Sequence, residues 1–265
     1  MRSFQKSRRL AAWVVAFFLS PFCLPAAPLT WFPGPPMDWP VSGAATVVLA
    51  GYGNVLIGGD GLYSPYAEGL IATNSYWTPL PQALWGIYNA PGAMAGGGQI
   101  TLYGGNNGTS ASSAVIGYSP SDGATTLASL SVPRSNLGYA PDRSGNAYAI
   151  GGLDDTGQPL ASAEVYNQDN NAWSSIASLP AARYDFPAVF DGTNQIYIFG
   201  GYTNAPSGME TADVLRYSVS AHTWTALAPM PVPVAGSTAA LGGRRQNLCR
   251  RRCFRRGHHQ CGSGL

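Results

Sequence analysis

The chain has 265 residues, of which 45% are hydrophobic and only 11% charged, and it contains 33 glycines and 21 prolines. This composition is typical of a turn-rich globular β protein and excludes an intrinsically disordered chain, which would have few apolar residues. Residues 28–243 contain four arginines, no lysine and all 13 acidic residues, so this body has a net charge of −9. Such a charge argues against nucleic acid or an anionic membrane surface as a partner.

The first 27 residues have the pattern of a secretory signal peptide. Four basic residues within positions 1–9 precede an apolar run at 10–19, then the helix-breaking Pro21 and the small residues Ala26 and Ala27. The apolar run is too short for a transmembrane helix, which needs about 20 residues. We therefore expect residues 1–27 to be removed on export. The mature protein is then secreted or displayed at the cell surface, with no membrane span after signal removal.

Within residues 28–243, an apolar stretch that ends in two glycines recurs four times. The doublets are Gly58-Gly59, Gly104-Gly105, Gly151-Gly152 and Gly200-Gly201. Their first glycines are 46, 47 and 49 residues apart. Self-similarity at a fixed period of this length is the signature of a repeat architecture.

Aromatic residues follow the doublets at regular spacing. The tyrosines are Tyr118, Tyr166 and Tyr217, and the tryptophans are Trp77, Trp173 and Trp224. In the third and fourth units the tryptophan comes seven residues after the tyrosine. Leu70 takes the tyrosine position of the first unit, and Thr125 takes the tryptophan position of the second. Several columns in register four times exclude coincidence.

Each unit predicts four short antiparallel strands. In the fourth unit these are 187–190, 195–199, 213–218 and 223–226, and turn-forming residues at 191–194 separate the first two. No stretch of the body has sustained helical periodicity. A single four-stranded sheet cannot bury both faces, whereas sheets arranged radially cover one another. We expect the doublets to allow a close approach of another backbone and the aromatic residues to fill the space between sheets.

An apolar strand ending in Gly-Gly, a spaced tyrosine and tryptophan, and a period near fifty together resemble the kelch repeat. The resemblance covers about residues 42–243 and implies an all-β, kelch-type β-propeller of the galactose-oxidase-like kind, built from four-stranded antiparallel blades. Kelch propellers usually have six or seven blades, and the sequence contains about four, so we expect an unclosed propeller.

In this family, ligands are generally met by loops at one end of the propeller, including those after the doublet. The resemblance implies candidate ligand residues at Asn106, Asn107, Asp154, Asp155, Tyr202 and Asn204. These types suit hydrogen bonding to a hydroxyl-rich ligand with ring stacking, although Asn, Asp and Gly also simply form turns. We expect a binding module for a glycan or a protein, without a cofactor, a metal or nucleic acid.

Two other classes of function stay open. Some kelch-type propellers are enzymes, so an epimerase, oxidase or hydrolase domain is one alternative, and a structural surface repeat without a discrete ligand is the other. The body has one histidine, His222, whose position close to Trp224 favours a structural role. We find no Ser-His-Asp set, carboxylate pair or phosphate loop, and we favour binding over catalysis.

Residues 244–265 break the pattern, with seven arginines among 22 residues. Their cysteines and histidines superficially offer zinc ligands at a spacing unlike common zinc sites, and a basic tail also suits nucleic acid. We favour a frameshift, because a fifth doublet is due near residue 250. Codons allowed for residues 244–253, read one base later, can encode Gly-Asp-Lys-Ile-Tyr-Val-Val-Gly-Gly. That is an apolar strand with its doublet.

Overall fold

Every regular element in the described part of the chain is a strand, and no helix occurs there. The computed structural model describes residues 45–49, 53–57, 67–70, 78–80, 93–96, 99–106, 109–119, 121–167, 169–204, 208–241 and 247–250. These residues belong to one unit, Pro35–Leu265. The predicted signal segment 1–27, and residues 251–265 of the predicted tail, lie outside the described residues.

Sixteen of the strands form four antiparallel sheets with four strands each. The first sheet contains β1 (Ala45–Leu49), β2 (Gly53–Ile57), β3 (Ala67–Leu70) and β4 (Thr78–Leu80). The second contains β5 (Ala93–Gly96), β6 (Gln99–Tyr103), β7 (Val115–Ser119) and β8 (Gly123–Leu127). The third contains β9 (Gly138–Pro141), β10 (Ala147–Ile150), β11 (Ala163–Asn167) and β12 (Ala172–Ile176). The fourth contains β13 (Ala188–Phe190), β14 (Gln195–Phe199), β17 (Val214–Ser218) and β18 (Thr223–Ala226).

Four further strands form two hairpins. A short ribbon of β15 (Tyr202–Thr203) and β16 (Met209–Glu210) is inserted in the fourth sheet's loop, and β19 (Thr238–Leu241) pairs with β20 (Asn247–Arg250). The prediction of consecutive four-stranded antiparallel sheets is confirmed. We call these sheets blades one to four.

The aromatic columns are cross-strand pairs. Tyr166 lies directly opposite Trp173, and Tyr217 lies opposite Trp224, with ring centroids 5.5 and 5.0 Å apart. In blades three and four the tyrosine faces the residue four positions before the first glycine of the doublet. Leu70 faces the corresponding residue of blade one, so it has the position of the tyrosine. This assignment from the sequence is therefore correct.

In blade two the residue at the tryptophan position is Ala124, not Thr125 as the spacing predicted. Tyr118 pairs with Ala124, and Thr125 faces Gly117, whose carbonyl accepts a hydrogen bond from its hydroxyl at 3.2 Å. The cause is a β7–β8 turn that is one residue shorter than the β11–β12 turn. Because side chains alternate between the two faces of a strand, one residue fewer in the turn places each residue of β8 on the face opposite to the one that the spacing predicts.

The two described tryptophans lie between blades, as expected, but they are half-buried rather than buried. The indole N–H of Trp173 donates to the carbonyl of Ala128 in the preceding blade, and that of Trp224 donates to Ala177, each at 2.8 Å. Each tryptophan therefore joins two neighbouring blades by a hydrogen bond as well as by apolar contact. The side chain of Trp77 lies outside the described residues.

The core lies between neighbouring blades. One cluster joins blades two and three and contains Tyr103, Val115, Leu130, Leu137, Ala147 and Ala149. The other joins blades three and four and contains Ala140, Tyr148, Ile150, Ala163, Leu179, Phe186, Ile196, Ile198, Leu215 and Tyr217. Strands of blades two, three and four thus contribute side chains to cores between neighbouring sheets, as expected for sheets arranged radially.

The glycine doublets connect one blade to the next. Both glycines of each described doublet have positive φ, for example +58° at Gly151 and +101° at Gly152. A Cβ on Gly151 would lie 2.6 Å from the carbonyl oxygen of Arg183, which leads into the next blade. That same carbonyl accepts a hydrogen bond from the Gly152 N–H at 2.9 Å. The arrangement repeats at the other two described doublets, so the predicted close approach of another backbone is confirmed.

A buried arginine supports each of the last two blades, and sequence reasoning missed both. Arg134, fully buried, donates to the carbonyl of Gly151 at 2.8 Å and to the carboxylate of Glu164 at 2.7 Å. Arg183 similarly donates to the carbonyl of Gly200 at 3.3 Å and to Asp213 at 3.2 Å.

The acidic partners of these arginines differ between the two blades. Glu164 also accepts hydrogen bonds from the N–H groups of Ser131 and Val132, and only 2% of its side chain is exposed. The side chain of Asp213 is 54% exposed. In the strand register, Leu215 of blade four has the position that Glu164 has in blade three. The acidic partner in blade four, Asp213, therefore lies at a different position of the repeat.

The β19–β20 hairpin has the register of the first two strands of a blade. Ala239 faces Cys249 as Ala188 faces Ile198 in blade four. The repeat therefore extends into the tail that the composition had set apart at residue 244. The prediction of a frameshift stays untested.

Candidate functional site

Two kinds of connection meet at the end of the blades where the doublets lie, called here the doublet end. The loop after a doublet pairs with the segment that leads into the first strand of the same blade. Leu153 forms a β-bridge with Ser135, and Tyr202 forms one with Tyr184. Backbone hydrogen bonds of 2.8–3.0 Å hold both bridges. The loops after the doublets of blades three and four are therefore fixed to the blade scaffold.

A row of left-handed residues crosses this end from blade to blade. Asn136, Asp185 and Gly236 take equivalent positions, with φ of 51°, 56° and 57°. The Asp185 N–H donates to the Asn136 carbonyl at 2.8 Å, and the Gly236 N–H donates to the Asp185 carbonyl at 2.9 Å. Asn, Asp and Gly are the residues that tolerate this conformation best. This row carries Asp185 at the doublet end.

Of the two neighbouring acids in the blade-three loop, Asp154 maintains the turn. Its carboxylate accepts from the N–H groups of Thr156 and Gln158, both at 2.8 Å, and from the Thr156 hydroxyl at 2.7 Å. Desolvation opposes ionisation of Asp154, but these donors outweigh it and hold its pKa below the ordinary value. Asp155, beside it, is exposed. The interpretation of the sequence as a turn holds for Asp154, and Asp155 is the carboxylate that faces solvent.

The blade-four loop forms the β15–β16 ribbon. Tyr202 lies directly opposite Glu210, and the rings of Tyr202 and Tyr184 are 5.3 Å apart with a 32° angle between their planes. Asn204 is exposed with φ of 60°, and its carbonyl accepts from the Gly208 N–H at 2.7 Å, which closes the ribbon. Met209 is 67% exposed.

The remaining two candidates lie in blade two. Asn106 forms a β-bridge with Ala111, while Asn107 lies outside the described residues. The structure thus places the described candidates in loops of one end, with Tyr202 and Asn204 in one ribbon.

Sequence reasoning missed Tyr184, Asp185 and Glu210. A signal existed for Asp185, because Asn136 and Asp185 each lie 16 residues before the second glycine of a doublet. No comparable signal marks Glu210, because within the part of the chain that the structure describes its ribbon occurs in blade four alone.

His222 lies away from this end. It occupies the β17–β18 turn, where its φ is 54°, and its Nδ1 lies 3.3 Å from the hydroxyl of Tyr217. Among the described residues, no group of three or more His, Cys, Asp or Glu side chains is arranged to hold a metal ion. The part of the chain that the structure describes also contains no helix long and apolar enough to span a membrane.

Four-stranded antiparallel blades, joined through glycine doublets and inter-blade aromatic residues, define a kelch-type β-propeller. The Kelch motif family matches residues 145–180 and 182–231, which correspond to blades three and four. Blades three and four therefore carry kelch repeats, and the described part of the chain has the fold of a kelch-type β-propeller.

Comparison with known proteins gives the same fold. The chain is 33% identical over 104 residues to α-scruin of Limulus polyphemus, which is 38% of this chain and 11% of that protein. It is 36% identical over 83 residues to an F-box/kelch-repeat protein of Arabidopsis thaliana, which is 31% of this chain and 21% of that protein. The matches thus span about a tenth and a fifth of these two relatives.

A solved structure, that of YjhT, superposes with a TM-score of 0.66 at 16% identity. The match covers 79% of this chain and 72% of YjhT. At this identity the likeness concerns the fold alone.

Proposed function

We propose that this protein is an exported binding module that holds a glycan or a protein ligand at the doublet end of its propeller. The observation that carries the proposal is the pair of β-bridges that fix Leu153 to Ser135 and Tyr202 to Tyr184. A ligand that meets fixed loops does not have to order them on binding, so more of its interaction energy appears as affinity.

The side chains that these loops present support the same proposal. Asp155 and Asn204 are exposed, and Tyr202 is half-buried beside a second tyrosine. Tyrosine supplies a rigid contact area, and the carboxylate and the amide supply directional hydrogen bonds. In this proposal the blades hold the loops in place, and the loops carry the side chains that contact the ligand.

The direct test is a binding screen of the purified chain against a glycan array and a panel of cell-surface proteins. A ligand found in either arm should bind less tightly to Asp155→Ala or Asn204→Ala. The matched control is Asp169→Ala, which removes an exposed carboxylate from the β11–β12 turn at the opposite end. Equal effects of Asp155→Ala and Asp169→Ala would place binding elsewhere. Failure of both arms, with turnover in a small-substrate screen, would favour the enzyme alternative.

Export depends on residues 1–27 and has its own test. A fusion of these residues to a reporter enzyme that lacks its own signal should appear outside the cytoplasm. Replacement of two leucines in the apolar run 10–19 by arginine should retain the reporter inside, because the run must partition as an apolar segment. A reporter that stays inside with the native residues would refute export.

A further inference from the structure

The strongest unassigned feature of the doublet end is a row of three side chains across the β15–β16 ribbon. Tyr184 and Tyr202 exchange backbone hydrogen bonds of 3.0 and 2.8 Å, and Tyr202 lies directly opposite Glu210. Residues directly opposite one another in antiparallel strands point to the same face. Two aromatic rings and a carboxylate therefore lie side by side.

The two rings of the row pack against a glycine of the same ribbon. A Cβ on Gly208 would lie 2.9 Å from the hydroxyl oxygen of Tyr184 and 3.0 Å from the Tyr202 ring. A side chain at this position would displace the rings. All three members of the row are half-buried, so each keeps an exposed portion.

Among the described residues around this row, charge is one-sided. Asp185 follows Tyr184 directly, and Asp154 and Asp155 lie in the neighbouring loop. Burial, and then the proximity of Tyr202 and of the Asp185 carboxylate, raise the pKa of Tyr184, so that hydroxyl stays neutral. The described arginines of this end, Arg134 and Arg183, are buried and already form ion pairs with Glu164 and Asp213.

We infer that the ligand is a protein that places a lysine or arginine side chain against Tyr184, Tyr202 and Glu210. This inference rests on the proposed binding function and names its ligand class. An aromatic face attracts a cation through its quadrupole, and a neighbouring carboxylate adds a charge-assisted hydrogen bond. A neutral sugar uses the ring faces but gains nothing from the excess of negative charge. The one-sided charge also raises the association rate of a basic partner.

The test uses the purified chain and a phage library of random 12-residue peptides. Enriched peptides should share a lysine or arginine, and their synthetic forms should bind Glu210→Gln about tenfold more weakly than the wild type. Asp169→Asn removes the same charge from the opposite end and should change the dissociation constant by less than about twofold. Thermal melting of both variants shows that they are folded.

Chemical modification of the peptide separates this contact from general electrostatics. Acetylation of the shared lysine should weaken binding to the wild type by a similar factor. The acetylated peptide should then bind the wild type and Glu210→Gln equally, because acetylation and the substitution remove the same interaction. Enriched peptides without a cation, or equal losses in Glu210→Gln and Asp169→Asn, would overturn the inference. Glycan binding without peptide binding would overturn it and leave the proposed function standing. Failure of peptides, glycans and surface proteins together would refute both.

Discussion

Replacement of Glu164 by leucine tests how buried charge holds two blades together. The Glu164 carboxylate accepts from Arg134 at 2.7 Å and from the N–H groups of Ser131 and Val132 at 2.7 and 3.2 Å. Leucine has a similar volume and is the residue that blade four has at the corresponding register position. The substitution therefore changes charge and hydrogen bonding far more than packing.

The expected loss is large because both partners are buried. Without Glu164 the guanidinium of Arg134, fully buried, keeps only carbonyl and hydroxyl acceptors, and two part-buried backbone N–H groups lose their partner. Leaving a buried charge without its partner costs about 3–5 kcal/mol of unfolding free energy. The Arg183–Asp213 pair supplies the contrast, since the Asp213 side chain is 54% exposed. Asp213→Ala should cost less, about 1–3 kcal/mol, because Arg183 is buried and loses its partner but solvent reaches the carboxylate side of this pair.

Urea denaturation followed by tryptophan fluorescence measures both values from the midpoints. The m-values should stay equal, because the same surface becomes exposed on unfolding. The double variant Arg134→Met/Glu164→Leu should recover much of the loss, since an apolar pair carries no desolvation penalty. If Glu164→Leu and Asp213→Ala cost the same, burial does not determine the strength of these pairs and the reasoning is wrong.

Four further predictions concern stability and the coding sequence. Gly151→Ala should lower the free energy of unfolding by about 3 kcal/mol, because its Cβ would lie 2.6 Å from a carbonyl oxygen of the segment that leads into the next blade. Gly157 also has positive φ but has open space around it, so Gly157→Ala should cost about 1 kcal/mol. The urea midpoints give both values. Trp173→Ala should cost about 3 kcal/mol and Trp173→Phe about 1 kcal/mol, the latter for the lost indole hydrogen bond. A Trp173→Phe variant as stable as the wild type would show that this bond contributes nothing. Desolvation opposes ionisation of Asp191, but hydrogen bonds from the turn N–H groups outweigh it and lower its pKa. The carboxylate therefore stabilises the fold above the unfolded pKa of about 3.9, and this stabilisation is lost as pH falls through the folded pKa. The melting temperatures of the wild type and of Asp191→Asn should converge in acid, and a constant difference between them would contradict this. Sequencing the coding DNA of residues 244–265 should show a Gly-Gly strand one base out of frame, and its absence would return the zinc and basic-tail interpretations.

The sequence predicted the blades because their determinants are local and repeated. A doublet of positive-φ glycines and a tyrosine–tryptophan pair recur in register, so several independent columns support one fold. The tryptophan position of blade two failed because spacing along the chain ignores turn length. One residue fewer between β7 and β8 places Ala124, not Thr125, opposite Tyr118.

The candidate site was predictable only in part. Loops after a doublet can be read from the chain, and Asp155, Tyr202 and Asn204 were found in this way. Tyr184 and Glu210 join the site through backbone pairing between segments that no motif links. Arg134 and Arg183 each precede a doublet by 17 residues, so their recurrence was visible, but their burial depends on partners about 30 residues away.

The register of the β19–β20 ladder predicts where the doublet of a following blade would lie. In blades three and four, one pair of the first two strands has a fixed place. Tyr139 faces Ala149, and Ala188 faces Ile198. The first member of each pair comes three positions after the left-handed residue, and the second comes two positions before the doublet. Ala239 takes that position after Gly236 and faces Cys249, so the same spacing predicts a further doublet at positions 251 and 252.

Those two positions are arginines in the frame as written. At the equivalent described positions the backbone has positive φ, and a Cβ would collide with a neighbouring carbonyl. The one-base-shifted translation of allowed codons has glycine at positions 251 and 252. Backbone geometry, which contains no information on codons, thus selects the same two positions as the translation does.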